Sequence, residues 1–114
     1  MALHLFAGVR VSDHDAASRW YSSLLGLEAF RANDVESVWD LGETTHLYVE
    51  QDAGRAGHGV VTLFVDDLDA ALATARAGGH EPVLEETYPN GLRKAVFHDP
   101  DGNEIGLGWS PHPW

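Results

Sequence analysis

Histidines, carboxylates and aromatic residues occupy alternate positions within several short apolar segments of this 114-residue chain. The titratable members of this pattern are His4, Arg10, His46, Glu50, His58 and Glu104. Imidazole and carboxylate groups bind divalent metal ions and transfer protons in acid–base catalysis. The aromatic residues interleaved with them would instead pack against a bound organic molecule. The secondary structure that carries these residues decides whether they meet in one site.

Period-two alternation predicts that these residues share one face of their strands. In residues 3–11, Leu5, Val9 and Val11 lie on one side, and the polar or aromatic residues lie on the other. The apolar side must meet a helix, which leaves the other side free. The predicted free face comprises His4, Phe6, Gly8, Arg10, Trp39, His46, Tyr48, Glu50, His58, Val60, Thr62, Phe64, Glu104, Gly106 and Gly108. Such a mixed set is poor core material and, on curved sheets, is typical of a small-molecule pocket.

The segment Val11–Ala17 returns as Val65–Ala71, 54 residues later. Each copy follows an apolar stretch and opens a helix, for which Ser12 or Asp13 is the expected cap in the first copy. Three short strands follow each helix. The sequence therefore predicts an α+β fold, a single domain 1–114 of two βαβββ halves, 1–52 and 58–114, joined by a glycine-rich linker at 52–58. A half of this size cannot bury a good core alone, so the halves must pack together, here or across a dimer.

Composition and motifs exclude several classes of function. The net charge of −11, with one lysine and six arginines, argues against a nucleic-acid partner. The absence of cysteine excludes disulfides, thiolate metal sites and cysteine nucleophiles. No Gly-x-Ser-x-Gly elbow and no phosphate-binding loop before a helix occurs. No apolar run approaches the ~18 residues of a membrane span, and no signal peptide is recognisable, so we expect a cytoplasmic protein without membrane contact.

Three motifs in this chain resemble those of one known family. They are Val-Ser-Asp at 11–13 with its half-repeat, the helix end Leu25-Gly26-Leu27 after Tyr21, and the segment 97–103, Phe-His-Asp-Pro-Asp-Gly-Asn. Together they resemble the vicinal oxygen chelate superfamily, which includes glyoxalase I, extradiol dioxygenases and the fosfomycin- and bleomycin-resistance proteins. The resemblance covers essentially the whole chain. It implies paired βαβββ modules that form a cup, in a homodimer.

Metal-dependent members of that superfamily hold a divalent ion through His, Gln or Glu of the first and fourth strands of the modules. The resemblance places the corresponding positions at Phe6, Tyr48, Val60 and Gly106, with Tyr48 uncertain by about two residues. Phenylalanine, valine and glycine side chains cannot coordinate a metal. The resemblance is therefore closest to the metal-free, bleomycin-resistance-like branch, whose members bind a drug rather than transform it.

These observations favour a small-molecule binding protein without a cofactor over an enzyme. The ligand, of which an antibiotic is one example, is expected to be partly aromatic and attracted by acidic groups if it is cationic. The expected ligand-binding residues are Phe6, Arg10, Trp39, His46, Tyr48, Glu50, His58, Val60, Phe64, Glu104 and Gly106.

Two enzymatic alternatives remain open. A divalent metal ion could bind a shifted set, His4, His58 and Glu104, each two residues before an absent ligand, in a lyase, isomerase or dioxygenase. A metal-free acid–base enzyme could use His46, His58, Glu50 or Glu104. The remaining histidines, at helix or turn positions, are expected to be ordinary surface residues: His14, His80, His98 and His112.

Overall fold

The computed structural model describes residues 3–112 as two four-stranded sheets and two helices. The first module contains β1 (Leu5–Val11), α1 (His14–Leu25), β2 (Phe30–Asn33), β3 (Glu36–Asp40) and β4 (Thr45–Gln51). The second contains β5 (Val60–Phe64), α2 (Leu68–Ala77), β6 (Leu84–Thr87), β7 (Arg93–His98) and β8 (Glu104–Trp109). The strand orders are β1-β4-β3-β2 and β5-β8-β7-β6. The predicted α+β fold of two βαβββ modules is confirmed.

In each module the first and fourth strands are parallel neighbours. Phe6 pairs with His46 and Val60 with Glu104, while the remaining strand pairs are antiparallel. The helix makes this arrangement feasible because it returns the chain to the starting edge of the sheet. A three-residue 3-10 helix, Ala53–Arg55, lies in the connection between the modules. Of the helices that the structure describes in residues 3–112, none is long and apolar enough to cross a membrane.

The repeated motif caps both helices in the same way. Asp13 Oδ1 accepts a hydrogen bond from the Ala16 amide, and Asp67 Oδ1 accepts one from the Ala70 amide, each at 3.0 Å. Such caps satisfy amides that have no partner inside the helix. Helix α1 ends at Gly26, which has the left-handed φ of 68° that glycine adopts without strain. The start of α1 at Asp13 and its end at Gly26 are therefore as predicted.

Both modules contribute to one continuous apolar core. Helices α1 and α2 pack against each other and against the inner faces of both sheets. The core comprises Val9, Val11, Ala17, Tyr21, Leu24, Trp39, Leu47, Val49, Leu68, Leu72, Ala75, Ala95, Phe97, Ile105 and Leu107. Residues of both modules thus belong to the same core.

The prediction that Trp39 lies on the free face is wrong. Trp39 is fully buried, its ring centroid lies 5.6 Å from that of Tyr21, and its indole Nε1 donates to Ser22 Oγ at 3.1 Å. In the β3–β4 register Trp39 lies opposite Leu47, which faces the helix, whereas Val38 lies opposite Tyr48. Because Val38 and Trp39 are both apolar, alternation within β3 alone does not show which of the two faces inward.

A hydrogen-bonded turn joins the second module to the first. The Asp99 carboxylate accepts from the Tyr21 hydroxyl of α1 and from the Asn103 side-chain amide, each at 2.8 Å. Asn103 also donates to the carbonyl of Arg10 at 2.9 Å and accepts from the Gly59 amide at 2.7 Å. Asp99 and Asn103 are buried. We call this set, with Asp99, Asn103 and Tyr21 at its centre, the turn network.

The turn network sits at one end of a seam between the modules, where β1 runs beside β5. Gly59 lies directly against Val9, since a Cβ at Gly59 would be 2.5 Å from the Val9 side chain. The amide of Asn103 fills the gap between the two strands, which are not themselves hydrogen bonded. The side chain of Asn103 thus sets the spacing of β1 and β5 at this end of the seam.

The expectation that His14 and His80 are ordinary surface residues is also wrong. His14 is buried, with Nδ1 2.9 Å from the Asp34 carbonyl oxygen and Nε2 2.6 Å from Ser37 Oγ. A carbonyl can only accept, so Nδ1 carries the proton and the Ser37 hydroxyl donates to Nε2. His80 packs edge-on against Trp20, and its Nε2 lies 2.7 Å from Ser23 Oγ. Both histidines therefore link helix α1 to its neighbours.

Replacing Tyr21 with phenylalanine tests the turn network. The variant removes one donor from a buried carboxylate, and we expect the free energy of unfolding to fall by about 1–3 kcal/mol. Urea unfolding measures this change. The matched control is Tyr88→Phe, at an exposed tyrosine, where a change below about 0.5 kcal/mol is expected. Equal effects in the two variants would show that the Tyr21–Asp99 bond contributes no stability.

Stability should also depend on the protonation of His80. Burial lowers the pKa of His80 below its ordinary value of 6.5. The stability that neutral His80 contributes is therefore fully present above pH 6.5. It is lost as the pH falls through the lower pKa of the folded state. In His80→Gln, the free energy of unfolding should fall less between pH 7.5 and pH 5.5 than in the wild type. Identical pH dependence in both proteins would contradict this assignment.

Candidate functional site

The candidate site lies on the open faces, which we define as the sides of the two sheets turned away from the helices. Because β1 lies beside β5 and the two helices pack together, both open faces turn to the same side of the molecule. Several large apolar residues are exposed there, including Phe6, Val60 and Phe64. Exposed aromatic and aliphatic side chains grouped on one surface indicate a binding region.

The open face of the first module carries a row of four neighbouring rings. Phe6 stacks on His46 with centroids 4.4 Å apart, His4 stacks on the same imidazole at 5.7 Å, and Tyr48 lies 6.4 Å from Phe6. We call His4, His46, Phe6 and Tyr48 the aromatic row. The β1–β4 pairing brings these residues side by side, since Phe6 is the partner of His46 and Gly8 that of Tyr48. The row offers flat apolar surface to an aromatic ligand.

Gly8 allows the Tyr48 ring to lie flat against the sheet. A Cβ at this position would be 2.5 Å from two carbons of the Tyr48 ring, which is closer than side-chain atoms approach one another. The phenol therefore covers Gly8 and extends the aromatic row along the strand. No side chain larger than hydrogen is compatible with this ring position.

Polar groups border the aromatic row on both sides. His46 Nδ1 lies 2.7 Å from a carboxylate oxygen of Asp40, and Arg10 Nε lies 3.7 Å from carboxylate oxygens of both Glu50 and Asp52. An imidazole held by a carboxylate can accept or release a proton at its other nitrogen. That nitrogen, Nε2, is 3.4 Å from His4 Nδ1. The pair Asp40–His46 is the arrangement on this face best suited to acid–base chemistry.

The open face of the second module is built on two glycines of β8. A Cβ at Gly106 would be 2.8 Å from Lys94 Cε, and a Cβ at Gly108 would be 2.9 Å from the Phe64 ring. The lysine stem and the phenylalanine ring therefore lie flat over these glycines, as the Tyr48 ring does over Gly8. Lys94 Nζ lies 3.7 Å from a carboxylate oxygen of Glu104.

A shallow recess of about 550 Å³ lies beside these residues, under the hairpin between β6 and β7. We call it the hairpin recess; it is lined by Thr62, Phe64, Tyr88, Pro89, Asn90, Leu92 and Lys94. The hairpin is held by a bond from the Tyr88 amide to the Leu92 carbonyl at 2.8 Å, and Gly91 takes a φ of 89°. A hydrogen bond to Glu86 raises the pKa of the Tyr88 phenol, which keeps it neutral.

The structure separates the predicted site residues into two groups. Phe6, Arg10, His46, Tyr48 and Glu50 lie together on the first open face. The second open face carries Val60, Phe64, Glu104 and Gly106. His58 lies before β5 begins and is exposed, at the end of the predicted linker rather than on the strand face to which alternation assigned it. Trp39, in the core, belongs to neither group.

Sequence reasoning missed five residues of the hairpin recess: Tyr88, Pro89, Asn90, Leu92 and Lys94. The segment Pro89-Asn90-Gly91 indicated a tight turn, but not which side of the sheet the turn would cover. The β7–β8 register supplies the missing information, because Lys94 lies opposite Gly108 and next to Gly106 on the same face. A long side chain beside two glycines folds over the space that they leave.

The residues at the family's metal-ligand positions do not fit a metal ion. Phe6 and Val60 hold corresponding places in the first strands of the two modules. Tyr48 and Gly106 hold corresponding places in the fourth strands, where Tyr48 pairs with Gly8 and Gly106 with Thr62. Three of the four have no donor atom in their side chains. The alternative set His4, His58 and Glu104 is not assembled either: within residues 3–112, no three His, Asp or Glu side chains are grouped so that they could hold an ion.

Comparison with known proteins agrees with this architecture. Residues 2–107 match the family model described as Glyoxalase/Bleomycin resistance protein/Dioxygenase superfamily. A glyoxalase/bleomycin resistance protein from Catenulispora acidiphila is 49% identical, with 96% of this chain and 100% of that chain covered and a TM-score of 0.93. No curated protein matches the chain.

Two less similar structures share the fold. A bleomycin resistance determinant encoded on transposon Tn5 has 19% identity and a TM-score of 0.79, covering 97% of this chain and 100% of that one. Lactoylglutathione lyase from Agrobacterium tumefaciens has 21% identity and a TM-score of 0.77, covering 95% and 92%. A resistance determinant and a lyase thus have similar backbones, so the fold alone does not decide the function.

Replacing Gly8 with alanine tests the geometry of the aromatic row. The new methyl group must displace the Tyr48 ring, so the ring's NMR resonances should shift, while the free energy of unfolding changes by less than about 1 kcal/mol. The control is Gly42→Ala, where a Cβ meets no atom within 4 Å. If Gly8→Ala leaves the Tyr48 resonances as they are in Gly42→Ala, the ring does not lie over Gly8.

Proposed function

Because this chain belongs to the Glyoxalase/Bleomycin resistance protein/Dioxygenase superfamily, we propose that it binds a small, partly aromatic molecule on its open faces without a metal ion. One observation carries the proposal: rings or apolar groups stand where the family's metal-dependent members have ligands. The aromatic row offers a stacking surface in place of coordination. Sequestration of an antibiotic is one role that such binding would serve.

The charges on the open faces define the ligand further. Glu50 is paired with Arg10, and Glu104 with Lys94, so neither carboxylate needs a ligand cation to balance it. The net charge of −11 produces a long-range field that favours cationic or neutral molecules over anionic ones. The proposed ligand is therefore a neutral or cationic aromatic compound, bound mainly through ring contacts.

Members of this family bind small molecules and often form dimers. We propose that this chain forms a homodimer in the cytoplasm. A second copy placed over the open faces would deepen the shallow surfaces that one chain offers, and would hold more of the ligand away from water. A domain of two halves, 1–52 and 58–114, with a linker at 52–58, permits the cup to form within one chain or between two.

The direct test is ligand binding by protein treated with chelator. Saturation-transfer NMR with a panel of neutral, cationic and anionic aromatic compounds, including metal-free bleomycin, should identify binders among the neutral and cationic members. Elemental analysis of protein purified without added metal tests the metal-dependent alternative. Stoichiometric Zn, Ni, Mn or Fe that is lost in His58→Ala would contradict the proposal and favour the metal-dependent enzyme.

The aromatic row should contribute to affinity more than to stability. We expect Phe6→Ala and Tyr48→Ala each to weaken binding of the best compound in the panel by about tenfold, the loss of roughly 1.4 kcal/mol of contact. The melting temperature should fall by only a few degrees because both side chains lie on the open face. The control is Val35→Ala, at an exposed valine in the turn between β2 and β3. If Phe6→Ala and Tyr48→Ala unfold, these residues are core and the site is misplaced.

A further inference from the structure

A second cavity, partly open to solvent, lies at the end of the seam opposite the turn network. Its volume is about 470 Å³, within the range of small-molecule pockets. We call it the seam pocket; it is lined by Leu5, Leu24, Leu25, Leu27, Leu41, Thr45, Thr62, Leu63, Phe64, Val65, Ala71, Thr74 and Leu107. It reaches from the seam toward the layer between the sheets and the helices, so it is distinct from the aromatic row.

The seam pocket is the counterpart of the turn network under the internal repeat. The turn before β8 closes with a bond from the Asp99 amide to the Asn103 carbonyl, and the turn before β4 closes with the same bond from Leu41 to Thr45. Leu41 therefore stands where the second module has Asp99, and Thr45 where it has Asn103. Across the seam, Ala75 of α2 occupies the place that Tyr21 has in α1.

This difference in residues explains why the space is open. On one side of the repeat a tyrosine, an aspartate and an asparagine fill the junction with hydrogen-bonded groups. On the other side Leu41 and Thr45, with Ala71 and Thr74 of α2, line an unfilled volume. Ala75, the counterpart of Tyr21, is buried in the core and adds no side chain to it. Apolar residues that line the opening are exposed, with 60% of Leu5 and 43% of Phe64 accessible. Unfilled apolar space beside exposed apolar groups favours a bound apolar molecule.

The lining residues define the chemistry of that molecule. Among residues 3–112, no charged side chain lines the seam pocket, so an ionic ligand would lose its hydration without gaining a partner there. The polar groups available are the hydroxyls of Thr45, Thr62 and Thr74. They can satisfy one or two hydrogen-bonding groups on an otherwise hydrocarbon molecule.

We propose that the seam pocket is a second binding site, for an uncharged aliphatic or aromatic molecule, distinct from the aromatic row. Thr62 and Phe64 line both this pocket and the hairpin recess. At the other end of the seam the side chains of Tyr21, Asp99 and Asn103 occupy the corresponding place.

Fluorescence titration with N-phenyl-1-naphthylamine, a neutral probe, tests this proposal. Ala71→Leu places a larger side chain in the pocket and should weaken probe binding at least about tenfold. The matched control is Ala73→Leu, on the exposed side of the same helix, which should bind as the wild type does. Leu41→Phe fills the pocket from the opposite wall and serves as the second variant if Ala71→Leu fails to fold.

The charge requirement is tested with 8-anilinonaphthalene-1-sulfonate, which has similar rings and a sulfonate. It should bind the wild type at least about tenfold more weakly than the neutral probe does. The proposal is overturned if the neutral probe does not bind the wild type, if Ala73→Leu weakens it as much as the pocket variants do, or if the pocket variants leave it unchanged. It is also overturned if Ala71→Leu converts a dimer to a monomer in sedimentation, since a second copy would then cover the pocket.

Discussion

A buried carboxylate, Asp99, holds the two modules of this protein together. It accepts hydrogen bonds from Tyr21 in the first module and from the backbone and side chain of its own turn. A buried charge is costly unless it is fully hydrogen bonded, so the turn and helix α1 must fold around it in one arrangement. Asn103 extends that arrangement to the edges of β1 and β5. The relative position of the two open faces follows from these contacts.

The asymmetry of the duplication determines what each part of the seam can do. One end is filled by polar groups and fixes the modules; the other is lined by Leu41, Thr45 and other uncharged residues and leaves a cavity. On the open faces, Gly8, Gly106 and Gly108 let larger side chains lie flat on the sheets. The fold thus offers apolar and aromatic surfaces where related metal-dependent proteins would need coordinating groups.

Much of the fold could be predicted from the sequence because its determinants are local. The repeat of Val11–Ala17 as Val65–Ala71 and the period-two strands predicted both modules. The strand positions predicted that Phe6 and Tyr48 lie on one face. Trp39 was misplaced because the inward face of β3 is set by pairing with Leu47, a contact between distant residues. His14 was misplaced because its partners, Asp34 and Ser37, come from another element. The hairpin recess and the seam pocket depend on how elements pack, which periodicity does not report.

The coupling between Tyr21 and Asn103 tests most directly the claim that one network joins the modules. A double-mutant cycle with Tyr21→Phe and Asn103→Ala would measure it through the free energy of unfolding in urea. Because both side chains donate to the same oxygen of Asp99, we predict a coupling of about 1 kcal/mol or more and a single unfolding transition in every variant. Additive effects, within about 0.3 kcal/mol, or separate transitions for the two modules would contradict the account.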